Sequence, residues 1–133
     1  MPEVAPQVGI VLVSHSARLA DGAADLAAQV SGGTVTVAAA GGTDDGGLGT
    51  SAAKVERAVR LADGGAGVLV LADLGSAVLT VRAMLGDLSG VTVALADAPF
   101  VEGAVAATVT AAGGADLTAV TKAAEEAWHA RKL

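Results

Sequence analysis

Short apolar runs alternate along this chain with longer segments in which apolar residues recur every three or four positions. The first run, residues 8–13, is rich in β-branched residues and predicts a buried strand. The helical spacing that follows it ends at Gly32-Gly33, a typical stop signal. This strand–helix order occurs four times, and a further helical pattern follows. The other predicted strands are residues 34–39, 67–72 and 91–95. Four of the five predicted helices are marked by apolar residues at helical spacing: Leu19, Ala23, Leu26, Ala27 and Val30; Val55, Val59 and Ala62; Val78, Val81, Leu85 and Leu88; and Leu117, Val120, Ala124 and Trp128. The remaining helix, fourth along the chain, is predicted over residues 101–112.

Four strand–helix units predict a single α/β domain over residues 1–133. Strands that alternate with helices form a mainly parallel sheet through right-handed crossovers, with helices on both faces. For a doubly wound sheet of four strands we expect the order 2-1-3-4, in which the first and third strands are neighbours.

Nearly all the polar chemistry of the chain lies directly after the predicted strands. Because the carboxyl ends of parallel strands share one edge of a sheet, these residues are expected to meet there, where open α/β folds bind ligands. His15 and Asp73 would then face each other across the crevice between the first and third strands. The polar residues of the four loops are Ser14, His15 and Ser16; Thr43, Asp44 and Asp45; Asp73 and Ser76; and Asp97 and Glu102.

A histidine beside a carboxylate predicts nucleophilic or base chemistry at His15. The carboxylate of Asp73 would accept one ring N–H and present the other ring nitrogen for reaction. The start of the next helix adds free N–H groups and a positive dipole end, which favour a bound anion such as a phosphoryl group. The candidates for hydrogen bonds to phosphoryl oxygens are Ser14, Ser16, Gly75 and Ser76.

Structural roles compete with these assignments. His15 alone is equally typical of a loop or capping residue, and Asp73 alone of a turn residue. Arg18 either holds a phosphate, meets a partner's carboxylate or is a solvated helix residue. The glycine-rich loop 41–49 matches neither nucleotide-binding glycine pattern, and Thr43-Asp44-Asp45 lacks supporting His or Glu ligands. We therefore expect no metal site, and a loop that approaches His15 or a partner.

Composition narrows the class of function. The 133 residues carry a net charge of −6, one Phe, one Trp and no Tyr, which argues against nucleic-acid binding. A negative surface suits a basic protein partner. No cysteine is present, so disulfide and thiolate chemistry are excluded. Polar residues interrupt every apolar run before membrane-spanning length, and the first residues do not resemble a secretory signal, so we expect a cytoplasmic protein away from the membrane.

Five motifs in register over most of the chain resemble the mannose-type EIIA domains of the bacterial phosphoenolpyruvate:sugar phosphotransferase system. Within that family, the dihydroxyacetone kinase branch matches best, because residues 75–77 read Gly-Ser-Ala where the sugar transporters typically carry Gly-Gly-Ser-Pro. The resembling motifs are GIVLVSHS (residues 9–16), GGTD (41–44), LGTS (48–51), DLGSA (73–77) and APFVEGA (98–104).

The resemblance implies a phosphotransferase with a phosphohistidine intermediate. His15 would accept a phosphoryl group from phospho-HPr on Nε2 and pass it to ADP bound in the nucleotide-binding subunit of dihydroxyacetone kinase. Asp73 would orient the His15 ring. The chain itself would bind no cofactor, since Mg²⁺ and ADP or ATP would belong to the kinase subunit, and it would form a homodimer. Candidate partner contacts are Arg18, Thr43, Asp44, Pro99 and Phe100.

Two other functions stay open from the sequence. The chain is either the EIIA component of a mannose-type sugar transporter, which delivers the phosphoryl group to an EIIB domain, or a non-catalytic α/β regulatory module in which His15 is a structural loop residue. The identity of the phosphoryl acceptor distinguishes the transporter component from the kinase subunit. Phosphorylation of His15 distinguishes both of them from the non-catalytic module.

Overall fold

Four parallel strands form the central sheet of this computed structural model, which describes residues 5–133. The sheet order is β2-β1-β3-β4, so the predicted α/β fold and its 2-1-3-4 order are confirmed. The strands are β1 (Gly9–Ser14), β2 (Val37–Gly41), β3 (Val68–Ala72) and β4 (Val93–Leu95), and the helices are α1 (Ala17–Val30), α2 (Ala52–Ala62), α3 (Gly75–Asp87), α4 (Phe100–Ala112) and α5 (Leu117–Glu126), followed by a 3₁₀ turn (Ala127–His129).

Strand β1 lies at the centre of the core, and all six of its residues are buried. Its side chains alternate between the faces of the sheet, as the period of two requires. Ile10 and Leu12 pack in the layer that contains α1, α4 and α5. Val11 and Val13 pack in the layer that contains α2 and α3. The helices therefore cover both faces, as predicted.

Two strands differ from the predicted ranges by more than one residue at an end. The second strand was expected over residues 34–39, but β2 begins at Val37, opposite Ile10, and continues to Gly41, opposite Ser14. Glycine is required at the end of this strand, because an added Cβ at Gly41 would lie 2.6 Å from the Ser16 carbonyl oxygen. The fourth strand was expected over residues 91–95, and β4 is shorter because its ladder with β3 begins only at Val93.

The buried face of α1 also differs from the prediction. Leu19, Leu26 and Val30 belong to the apolar pattern that predicted this helix, yet they are 44%, 46% and 55% exposed. The buried positions are alanines, which let the helix approach the sheet more closely than leucines would. Apolar periodicity alone does not separate two adjacent stripes of one helix when both are apolar. The buried residues of α1 are Ala20, Ala23, Ala24 and Ala27.

Trp128 belongs to the apolar pattern that predicted the last helix, but it lies at the surface and not in the core. It is 60% exposed, because α5 ends at Glu126 and the chain continues as the 3₁₀ turn. Its indole Nε1 donates to the Asp97 carbonyl oxygen at 2.9 Å. The tryptophan therefore ties the end of this helical segment to the loop after β4.

The start of β1 passes beneath the last turn of α2. At Gly9, an added Cβ would lie 2.0 Å from the Ala62 carbonyl oxygen, well inside van der Waals contact. Glycine is required here by the space available, not by a left-handed backbone. This close approach sets the position of β1, and therefore of the residues that follow it.

We predict that Gly9→Ala lowers the free energy of unfolding by about 1–3 kcal/mol, because the added methyl group overpacks the contact with Ala62. Gly22→Ala is the matched control, since Gly22 lies within α1 and an added Cβ meets nothing within 4 Å. The free energy of unfolding of this control should increase by about 0.5–1 kcal/mol, because alanine has a higher helix propensity than glycine. Urea unfolding of the two variants measures both effects, and equal changes in the two would contradict the assigned contact.

Candidate functional site

His15 and Asp73 follow two adjacent strands and meet at the carboxyl edge of the sheet. Val13 of β1 pairs with Ala72 of β3, so the residues just beyond these strands are neighbours. His15 Nδ1 lies 3.0 Å from Asp73 Oδ1. The side chains of His15 and Asp73 are 24% and 10% exposed, so the pair is partly buried but accessible to solvent. The expected juxtaposition across the crevice is present.

The Asp73 carboxylate accepts four hydrogen bonds. Its Oδ2 accepts from the Ser14 hydroxyl at 2.8 Å and from the His15 backbone N–H at 3.1 Å. Its Oδ1 accepts from the Leu74 backbone N–H at 2.8 Å and faces His15 Nδ1. Two carboxylate oxygens offer about four lone-pair sites, so the acceptor capacity is filled.

This environment keeps Asp73 ionised. Burial acts to raise the pKa of the Asp73 carboxyl, but hydrogen bonds from the His15 ring, the Ser14 hydroxyl and the His15 backbone N–H outweigh it, so that the pKa lies below its ordinary value. An ionised carboxylate only accepts hydrogen bonds, so the neutral His15 ring carries its proton on Nδ1. The lone pair of Nε2 is then available.

Nε2 of His15 is directed toward the first turn of α3. The Ser76 hydroxyl lies 2.5 Å from it and donates to the bare nitrogen. The first N–H groups of a helix have no partner within the helix, and the N-cap residue Leu74 provides no side-chain acceptor for them. Gly75 and Ser76 therefore present backbone N–H groups and a positive dipole end beside Nε2, a setting that favours an anion.

The four serine and glycine candidates at the sheet edge separate into two groups. Gly75 and Ser76 lie at the helix start beside Nε2, where the sequence placed them. Ser16 is the N-cap of α1, and its hydroxyl accepts from the Leu19 N–H at 3.2 Å. Ser14 requires a correction, because it is fully buried and its hydroxyl is bonded to Asp73, so it does not reach the space around Nε2.

The glycine-rich loop is attached to the backbone of the histidine. The Gly49 N–H donates to the His15 carbonyl oxygen at 2.9 Å, and the Gly42 N–H donates to the Ser14 carbonyl oxygen at 3.1 Å. With the His15 N–H bonded to Asp73, both backbone polar groups of His15 are fixed. Sequence reasoning placed this loop near His15 but missed these bonds, because backbone donors carry no signal in residue identity.

The candidate partner contacts are distributed around the same edge. Arg18 is exposed in the first turn of α1. Thr43 is half-buried, with its hydroxyl bonded to Asp45, whereas Asp44 is exposed and accepts from the Ser51 hydroxyl at 2.5 Å.

Pro99 and Phe100 lie where α4 begins, after the β4 strand. Pro99 is the N-cap residue of α4, and Phe100 is its first residue. Phe100 is half-buried against the core layer of α1, α4 and α5. The aromatic ring therefore has a packing role in addition to its place at the sheet edge.

Three further observations concern the described part of the chain. Within residues 5–133, no three His, Cys, Asp or Glu side chains lie close enough together to hold a metal ion. Over the same residues, no helix has both the length and the apolar character that crossing a membrane requires. His129, the other histidine, is exposed in the 3₁₀ turn.

Comparison with known proteins finds relatives that are similar to most of this chain. The phosphoryl donor subunit DhaM of the PEP-dependent dihydroxyacetone kinase of Escherichia coli (strain K12) is 40% identical over 131 residues, covering 94% of this chain and 28% of that protein. This chain therefore spans less than a third of that relative's length. The DhaM subunit of PEP-dependent dihydroxyacetone kinase 2 of Listeria innocua serovar 6a is 34% identical over 105 residues, covering 77% of this chain and 84% of that protein.

A solved structure and a family model agree with these relatives. The crystal structure of a protein described as being of unknown function superposes with a TM-score of 0.79 at 38% identity, covering 90% of this chain and 93% of that one. The EIIA-man family model, described as the PTS system fructose IIA component, matches residues 9–121, a range that contains His15, Asp73 and the whole sheet. The chain belongs to the EIIA-man family.

Proposed function

We propose that this chain is a phosphohistidine carrier in which Nε2 of His15 accepts and then donates a phosphoryl group. One observation carries the proposal. Nδ1 of His15 is bonded to an ionised Asp73, while Nε2 faces the free N–H groups at the start of α3. This arrangement supplies both a nucleophilic nitrogen and a site for the negative charge that it would hold.

The transfer step follows from these contacts. The lone pair of Nε2 attacks the phosphorus of phospho-HPr, the N–P bond of the donor histidine breaks, and the electron pair of that bond returns to the donor nitrogen. The Nδ1 proton stays in its hydrogen bond to Asp73, so the phosphorylated ring becomes cationic and the carboxylate stabilises that charge. Because phosphoryl transfer passes through a loose transition state, positioning and charge stabilisation suffice.

The α3 helix start would hold the transferred group. The Ser76 hydroxyl, which donates to Nε2 in the unphosphorylated protein, would turn to donate to a phosphoryl oxygen. The backbone N–H groups of Gly75 and Ser76 would donate to the other oxygens. Ser16 would act indirectly, by capping α1 behind the histidine.

We propose ADP, held in the nucleotide-binding subunit of dihydroxyacetone kinase, as the acceptor. The names of the E. coli and Listeria relatives support a role as phosphoryl donor in a dihydroxyacetone kinase, as does the Gly-Ser-Ala sequence at residues 75–77. The chain has neither glycine pattern that cradles a nucleotide phosphate. Mg²⁺ and the nucleotide would therefore be bound by the partner, in the cytoplasm. Exposed Arg18 and Asp44, together with Thr43, Pro99 and Phe100, lie around the site and would contact HPr or the kinase subunit.

A second acceptor is favoured by one observation. The matching family model is described as the fructose IIA component of the phosphotransferase system, which supports delivery to an EIIB domain of a sugar transporter. The chemistry at His15 would be the same in both cases. In either role the protein would act as a homodimer.

We predict that His15→Ala abolishes phosphorylation and leaves the fold intact, because the side chain lies at the sheet edge and its removal opens no core cavity. Incubation with enzyme I, HPr and phosphoenolpyruvate, followed by mass measurement, detects the acid-labile phosphate. His129→Ala is the matched control and should be phosphorylated like the parent protein. Phosphorylation of His15→Ala on a histidine would contradict the assignment.

We predict that Asp73→Asn folds but transfers the phosphoryl group about 10–100-fold more slowly. A neutral amide does not stabilise the cationic ring. The loss should stay below the roughly 10⁴-fold effect of the same change in a serine-protease triad, because no proton is shuttled here. Quenched-flow measurement of the phosphorylation rate tests this. Asp97→Asn makes the same chemical change at the same sheet edge. Asp97 is exposed and its hydrogen bonds to Glu125 and Trp128 are made by its backbone, so this variant should transfer at the parent rate.

We predict that the phosphorylated protein makes ATP rapidly from ADP bound to the kinase subunit and only slowly from free ADP. The reason is that this chain has no phosphate-cradling loop with which to position a nucleotide. The protein is phosphorylated, separated from its donors, and offered ADP with the nucleotide-binding subunit, ADP alone, or an EIIB domain. Rapid ATP formation from free ADP would contradict this prediction. Exclusive transfer to the EIIB domain would establish the second acceptor instead.

A further inference from the structure

Two polar side chains are fully buried in the part of the chain that the structure describes, Ser14 and Thr108. Thr108 lies within α4, and its hydroxyl donates to the Ala104 carbonyl oxygen of the same helix at 2.7 Å. Such a bond to the preceding turn is common for a threonine in a helix. Ser14 differs, because its hydroxyl bonds a side chain 59 residues away. A buried hydroxyl at the end of a central strand therefore links two separate loops of the site.

The direction of the Ser14 hydrogen bond is determined by its neighbours. The hydroxyl oxygen accepts from the Ser16 backbone N–H at 3.0 Å. A serine hydroxyl has a single hydrogen, and an ionised carboxylate only accepts. The hydrogen of Ser14 therefore points at Asp73 Oδ2, 2.8 Å away.

This bond fixes the rotation of the Asp73 carboxylate. The terminal torsion of an aspartate has a broad energy profile, so it needs external contacts to select one angle. Ser14 and the His15 N–H hold Oδ2 from two directions, and Oδ1 is then aimed at the Leu74 N–H and at the His15 ring. Without the hydroxyl, the longer 3.1 Å contact from the His15 N–H would hold Oδ2 alone.

We infer that Ser14 is a positioning residue for the phosphoryl carrier: it sets the angle of the Asp73 carboxylate and, through it, keeps the His15 proton on Nδ1 and Nε2 free. The inference rests on the proposed function of His15. Ser14 acts on the His15 ring through Asp73, since it is buried and its hydroxyl hydrogen is bonded to the carboxylate and not to Nε2. Its bond from the Ser16 N–H also connects this carboxylate to the start of α1.

The test compares Ser14→Ala with Ser14→Thr and with Thr108→Val in the full chain. Alanine removes the hydroxyl, threonine retains it, and Thr108→Val deletes the other buried hydroxyl at a position remote from the site. Three quantities are measured: the phosphorylation rate, the proton distribution between Nδ1 and Nε2 of His15 by ¹⁵N NMR, and the Asp73 carboxyl titration by ¹³C NMR.

We expect Ser14→Ala to lower the phosphorylation rate about tenfold, at the lower end of what losing an outer hydrogen bond costs a metal-binding histidine. The fraction of rings with the proton on Nε2 should increase. The pKa of Asp73 should rise, because the Ser14 hydroxyl is one of the bonds that lower it. Ser14→Thr should restore all three quantities toward the parent values, and Thr108→Val should leave all three unchanged.

If Ser14→Ala has the same phosphorylation rate, proton distribution and Asp73 titration as the parent protein, the inference is wrong. The proposed phosphorylation of His15 would not be affected by that result. Conversely, failure of the parent protein to be phosphorylated would refute the proposed function, and the two NMR measurements would still test the positioning role. If Ser14→Ala does not fold, Ser14→Cys replaces it, since a thiol is a weak donor of similar size. Equal rates for the cysteine and threonine variants would then overturn the inference.

Discussion

The hydrogen-bonded carboxylate of Asp73 is the interaction on which the site depends. It joins the end of β3 to the end of β1 through Ser14, His15 and Leu74, and all four of its acceptor positions are filled. Burying a charge is unfavourable unless hydrogen bonds compensate for the lost water. Here the compensation comes from groups whose positions are set by the parallel pairing of β1 with β3, so the sheet and the site stabilise the same geometry.

Close backbone approaches give this geometry its precision. Gly9 allows β1 to pass directly beneath α2, and Gly41 allows the end of β2 to lie against the start of α1. A side chain at either glycine would displace β1 or the segment that holds His15. The site is therefore built on rigid elements, with the histidine fixed through its ring, its N–H and its carbonyl oxygen.

Much of the fold, and the position of the site within it, was predictable from the pattern of residues. Strand–helix alternation predicted the fold and the sheet edge, and the sheet order then placed His15 beside Asp73. The burial of α1 was not predictable, because Leu19 and Ala20 are both apolar and only the tight packing against the sheet selects alanine. Nor was the role of Ser14, since the direction of its hydroxyl depends on a carboxylate 59 residues away. The sequence predicted the bond between Asp73 and the His15 ring, but not the serine and backbone donors that hold the other positions of the carboxylate.

The geometry around His15 also implies where selectivity must reside. Every contact of the ring recognises charge or a proton position: Asp73 holds Nδ1, and the α3 helix start faces Nε2. In the proposed function, none of these contacts recognises the molecule that lies beyond the phosphoryl group. The hydrogen bonds of the ring would therefore be the same whether a kinase subunit or a transporter domain takes the phosphoryl group. We propose that the choice of acceptor depends, in addition to residues 75–77, on the exposed parts of the sheet edge, chiefly the loop bonded to His15 through Gly49 and the first turn of α1 that carries Arg18.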